Sequence, residues 1–118
     1  MFNILDKTFG NVIAIEVDGH IEKKDYEKVN PLVEKAVREF GKVRLYIQIT
    51  KIEGIQPSAF IEDVKTYLKH FKDLEKVAVV GNSKWHKFWS GLAGPFLSGE
   101  LKYFTLDQIT EAKAWIEV

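Results

Sequence analysis

In VRLYIQIT, residues 43 to 50, apolar and polar side chains alternate without a break, and a period of two is that of a strand with unlike faces. Val43, Leu45, Ile47 and Ile49 take the face read as buried; Arg44, Tyr46, Gln48 and Thr50 take the other. The flanking segments have a different period. From Asp25 onward, Tyr26, Val29, Val33, Ala36, Val37 and Phe40 recur at helical intervals, and Gly41 closes the pattern. Beyond a loop to Gln56-Pro57, a second stripe runs through Phe60, Ile61, Val64, Tyr67, Leu68 and Phe71. A strand between two helices implies parallel pairing and right-handed crossovers.

The remaining segments extend this plan. FNIL (2 to 5), Thr8-Phe9-Gly10-Asn11 and NVIAIEVDG (11 to 19) read as a β-hairpin that opens the chain. Pro31 interrupts the first helix: either the helix kinks there, or its regular part begins with Asn30 as N-cap and Pro31 in the first position. The stripe passes through Pro31 without a phase slip, which predicts one kinked helix. VAVVG (77 to 81) and ELKYF (100 to 104) read as strands, and Thr105 with Gln108 has capping-box spacing for a last helix ending at Trp115-Ile116. The expected order is β-β-α-β-α-β-α-β-α in one domain over residues 1–118. Glu16, Asp18, Arg44, Gln48 and Lys102 interrupt one face of these strands, which places the helices mainly on the other. Tyr46 and Phe104 then belong to a mixed face, expected as an interaction surface for a protein partner or a second copy of the chain.

Composition narrows the function classes. Seventeen Lys and Arg balance seventeen Asp and Glu, so nucleic acid is not an expected partner. Without cysteine, disulfides, thiolate zinc sites and a cysteine nucleophile are excluded; the cytoplasm is the expected location. Neither a signal peptide nor an apolar run of about 18 residues is visible, so no stable membrane anchor is expected. His20, His70 and His86 share no ligand spacing, so neither a metal nor a cofactor is expected. Asp25, Glu53 and Asp63 are acid–base candidates that nothing pairs in sequence, and Ser90 in FWSGL lacks the nucleophile-elbow glycine. An enzyme is not expected.

The densest stretch is GNSKWHKFWSGLAGPF, residues 81 to 96. Trp85, Phe88, Trp89, Leu92 and Phe96 share one helical face, where burial accounts for most of them, while His86 and Lys87 fall off it toward solvent. Gly81-Asn82-Ser83 follows a strand, where a cap or an anion site at a helix start is expected, and α/β sheets hold ligands at the carboxyl ends of their strands. Phe60, Val64, Trp85, Phe88, Trp89 and Phe96 are the candidate lining of a pocket for a small apolar or amphipathic ligand between helices and sheet. Such a pocket would measure roughly 300 Å³ or more.

This order resembles the SpoIIAA-like family, related in fold to STAS and CRAL-TRIO domains. The resemblance is carried by VDGHIEKKDYEKVNPLVEKA (17 to 36), KVAVVGNSKWHKF (76 to 88), AGPF (93 to 96) and KYFTLDQITEAKAWI (102 to 116). It implies a five-stranded mixed sheet with βα units wound as a superhelix. It also implies a binding or regulatory role, since the relatives divide between phosphorylation-controlled partner switching, as in anti-sigma-factor antagonists, and binding of apolar ligands. The antagonists' D-S-S-G pattern falls on Gln56, Pro57, Ser58 and Ala59, which puts Ser58 at the regulated position; the acidic residue and the glycine are absent here.

Overall fold

The computed structural model describes residues 1–5, 10–53, 56–68, 72–82, 84 and 99–118, with the side chains of 57, 58, 61, 65 and 68 outside the description. A hairpin of β1 (Phe2–Ile4) and β2 (Val12–His20) leads to α1 (Lys23–Phe40), β3 (Val43–Glu53), α2 (Pro57–Leu68), β4 (Leu74–Gly81) and β5 (Glu100–Thr105). A 3₁₀ turn, Leu106–Gln108, then opens into α3 (Ile109–Glu117). The five strands form one sheet in chain order. β1 pairs antiparallel with β2, and all later neighbours are parallel. The helix expected from Trp85 lies outside the described residues.

α1 is one helix with Pro31 inside it. Pro31 and Glu27 are both exposed, so the Glu27 carbonyl that loses its N–H partner to the proline ring can turn to water. Gly41 ends the helix at φ +79°, a left-handed conformation that suits glycine, and its N–H donates to the Val37 carbonyl at 2.8 Å. At the other end, the Asp25 carboxylate accepts the Glu22 N–H at 2.7 Å, and also accepts the N–H of Phe2 in β1 at 3.2 Å. One buried side chain thus caps a helix and fastens the edge strand to it.

Each face of the sheet has its own core. Against α1 and α2 lie Ile13, Ile15, Val17, Leu45, Ile47, Ile49, Val77 and Val79, packed with Val29, Val33, Phe60 and Val64. Against α3 lie Val12, Ala14, Tyr46, Ala78, Val80 and Phe104, closed by Ala112 and Ile116. Two of the three described helices share a face, and the terminal helix covers the opposite one. The exposure expected for Tyr46 and Phe104 is therefore corrected: they are 0% and 4% exposed. Tyr46 stands between Ala14 and Ala78 in the paired strands, whose small side chains leave room for its ring, and its hydroxyl donates to Gln48 Oε1 at 2.9 Å. Phe104 packs on Trp115 of α3 at a ring separation of 6.0 Å.

Two cations hold α3 in place. Arg44 Nη1 donates to the Ile116 carbonyl at 2.8 Å, and Lys76 Nζ donates to the Trp115 carbonyl at 3.1 Å. Both sit where the last turn's carbonyls lack helical partners and the helix dipole favours positive charge. At the helix start, the expected capping box is present, with the Thr105 N–H donating to Gln108 Oε1 at 3.0 Å.

Asp25 is the buried charged residue of the described core. Burial pushes its carboxyl up. The N–H groups of Glu22 and Phe2, with the N-terminal ammonium and Lys28, outweigh that and hold it below the usual aspartate value. A carboxyl with a lower pKa folded than unfolded contributes stability that is complete above its unfolded value, about 4, and is lost as the pH falls through the folded value. Asp25→Asn is accordingly expected to be less stable than the parent at neutral pH by about 1–3 kcal/mol. Urea unfolding at a series of pH values should show the two proteins converging in acid, whereas a constant gap would assign the loss to something other than the charge.

Candidate functional site

The residues marked by sequence that the structure describes fall in separate places. Trp85, Phe88, Trp89, Phe96 and Ser83, with His86, Lys87 and His70, lie outside the described residues. Ser58 stands in the first turn of α2 with its side chain outside the description. Phe60 and Val64 project from α2 into the first core, while Gly81 and Asn82 end β4 at the carboxyl edge of the sheet. Tyr46 and Phe104 belong to the opposite face.

At the carboxyl edge, Gly81, Asn82, Thr105, Leu106 and Asp107 line a broad open trough of about 560 Å³. Its polar groups serve the local chain. Asn82 Oδ1 accepts the Lys84 N–H at 2.8 Å, and the Asn82 carbonyl accepts the Tyr103 hydroxyl at 2.5 Å. The Thr105 hydroxyl donates to the Asp107 carboxylate. The Asn82 side chain thus closes a local contact with Lys84, and the helix it was expected to cap lies outside the described residues.

Between α1, α2 and the sheet the chemistry differs. Phe60 and Val64, at 0% and 5% exposure, meet Ile15, Leu45 and Ile47 from the strands, with Phe2, Tyr26 and Tyr67 completing the wall. The cavity among them measures about 20 Å³ and its wall is hydrocarbon throughout. That is room for about one water, but a water needs two to four polar partners, so a space of this kind stays dry. This cavity is thus far below ligand size, while a second space of about 220 Å³ lies where Leu32, Ala36 and Phe40 of α1 meet Ile13 of β2.

Three aromatic rings form a row along this space. The Phe2 and Tyr26 rings meet edge to face at 5.1 Å, and the Tyr26 and Tyr67 rings lie 5.7 Å apart. The Tyr67 hydroxyl bonds to Asn30 Oδ1 and reaches the Tyr26 carbonyl at 3.3 Å, tying α2 to α1. The Tyr26 hydroxyl is buried and has no hydrogen-bond partner among the described residues. Burial, then the charges of Asp63 and Asp25, push the Tyr26 phenol up to about 12; burial and Glu34 do the same for Tyr67. Both therefore remain neutral donors at physiological pH.

Sequence reasoning placed both tyrosines on apolar helical stripes and missed their polar ends. The available signal was two hydroxyl-bearing residues on stripes that face the same sheet. The acid–base candidates do not converge on a substrate site: Asp25 caps α1, Asp63 is exposed, and Glu53 pairs with Lys51 at 2.6 Å on the surface. The Lys51 hydrogen bond and charge hold the Glu53 carboxyl below its usual range.

Phe60 anchors α2 over this space. Phe60→Ala is expected to cost about 3–5 kcal/mol, the usual range for emptying a buried aromatic site, as a lower urea midpoint at unchanged slope. A loss below about 1 kcal/mol would mean that α2 does not depend on this contact.

The sequence over residues 12–117 matches the family model described as SpoIIAA-like. The fold is similar to the crystal structure of an uncharacterized protein from the DUF3478 family with a SpoIIAA-like fold from Shewanella loihica PV-4. The similarity has a TM-score of 0.64 at 27% identity and covers 98% of this chain and 90% of that one. No curated protein matches the chain. With the family pattern spanning β2 to α3 and the same fold in a solved relative, this chain belongs to the SpoIIAA-like family.

Proposed function

We propose that this chain is a binding module rather than a catalyst, and that it takes a small amphipathic molecule between α1, α2 and the sheet. The supporting observation is Tyr26, which lines the hydrocarbon-walled void with Phe60 and Val64 and whose hydroxyl is buried without a partner among the described residues. A buried, unpaired hydroxyl costs about 1–3 kcal/mol, and a ligand oxygen at Tyr26 would remove that penalty while its apolar part enlarged the void.

Uptake requires α2 to move away from α1. The Tyr67 contacts with Asn30 and the Tyr26 carbonyl and the seats of Phe60 and Val64 are among what the described residues set against that motion. A ligand shifts such an equilibrium by its preference for the open form.

Native mass spectrometry of the full chain, run beside a denatured sample, tests this reading. The expected native spectrum carries a mass excess that denaturation removes, or acquires one when medium-chain alcohols, ketones and carboxylates are added. A bare chain that takes up none of them would sink the proposal.

A further inference from the structure

We infer that the molecule held beside Tyr26 presents one neutral hydrogen-bond acceptor, such as a ketone, ester or alcohol oxygen, on an otherwise apolar body, and that the Tyr26 hydroxyl donates to it. This rests on the binding reading above and specifies its chemistry.

Three observations select a neutral head. First, the donors on the residues that line the cavity are unequal: the Tyr67 hydroxyl already bonds to Asn30 and the Tyr26 carbonyl, whereas the Tyr26 hydroxyl has no partner among the described residues. Second, the charges that act on Tyr26 are the carboxylates of Asp63 and Asp25. Lys28 and the N-terminal ammonium, the cations near Asp25, lie 3.8 and 3.9 Å from its carboxylate and are themselves largely solvated. Among the described residues the cavity wall includes no lysine, arginine or histidine. An anionic head would therefore enter an apolar space against two like charges without a counter-ion, which is costly. Third, a pure hydrocarbon would fill the cavity and leave the hydroxyl unpaired. A neutral acceptor meets all three conditions.

The test compares three probes of equal chain length, hexan-2-one, hexanoate and hexane, by thermal unfolding of the full chain and of Tyr26→Phe at pH 7. Without probe, the variant should unfold at or above the parent temperature, because it deletes a hydroxyl that bonds to nothing; a clearly lower temperature would show that the hydroxyl has a partner and overturn the inference. With probe, hexan-2-one should stabilise the parent most, and its affinity should fall about tenfold in Tyr26→Phe, the usual effect of one hydrogen bond. If hexanoate binds as tightly as the ketone, or the ketone binds both proteins equally, the Tyr26 anchor is overturned while the binding module stands. If none of the three stabilises the parent, both fall.

Discussion

Four parallel strands laid side by side in chain order leave their crossovers little choice of face. Right-handed connections between neighbours that always advance in one direction put every crossover helix on the same side, and α1 and α2 share one core here. Parallel strands nevertheless need cover on both faces. The cover for the second face has to come from outside the crossovers, and α3, which follows the last strand, supplies it. Nine residues make a helix too short to persist alone, and only Ala112 and Ile116 are fully buried in it. Arg44 and Lys76, whose side chains reach the last carbonyls of α3 from the strands it covers, are thus part of what keeps Tyr46 and Phe104 out of water.

The hairpin end poses the opposite difficulty. β1 is a three-residue edge strand, too short to hold by sheet pairing alone. The Asp25 carboxylate joins it to the first turn of α1, and the Phe2 ring then rests against Tyr26 one residue along that helix. The contact that secures the edge strand also sets one wall of the cavity under α2. Stability and site geometry are coupled through one buried carboxylate whose acceptor capacity is taken up by backbone N–H groups and flanking cations.

Period and spacing made the order of the described elements, the parallel pairing, the Gly41 stop, the Thr105–Gln108 box and the buried part of the α1 stripe legible in the residues, although Phe40, last on that stripe, is exposed. What periodicity could not supply was the identity of the neighbour. VRLYIQIT showed that Tyr46 faces away from the first core, but not that a terminal helix would close over it; that depends on α3 crossing strands far from it in sequence. The same limit shortened two strands. β3 continues through Lys51–Glu53 because these residues pair with Asp18, Gly19 and His20 beyond a bulge at Thr50 in β3. β4 begins at Leu74, where Glu75 and Lys76 look like loop residues but belong to the strand: Glu75 bonds Arg44 at 2.9 Å, and Lys76 reaches Trp115.

The four tyrosines provide an internal standard for the candidate site. Burial pushes every one of their phenols up to about 12, so each has given up much of its hydration. In three, a protein oxygen offsets that loss: Gln48 for Tyr46, Asn30 for Tyr67 and the Asn82 carbonyl for Tyr103. Each of these bonds ties down a strand, a helix pair or a turn. Tyr26 bears the same burial with no partner among the described residues. Phenylalanine would fill its place in the aromatic row without the penalty of an unpaired hydroxyl. A fold that satisfies three buried phenols in three different ways has the means to satisfy a fourth, and the proposal of a partner from outside the chain rests on that contrast among the described residues.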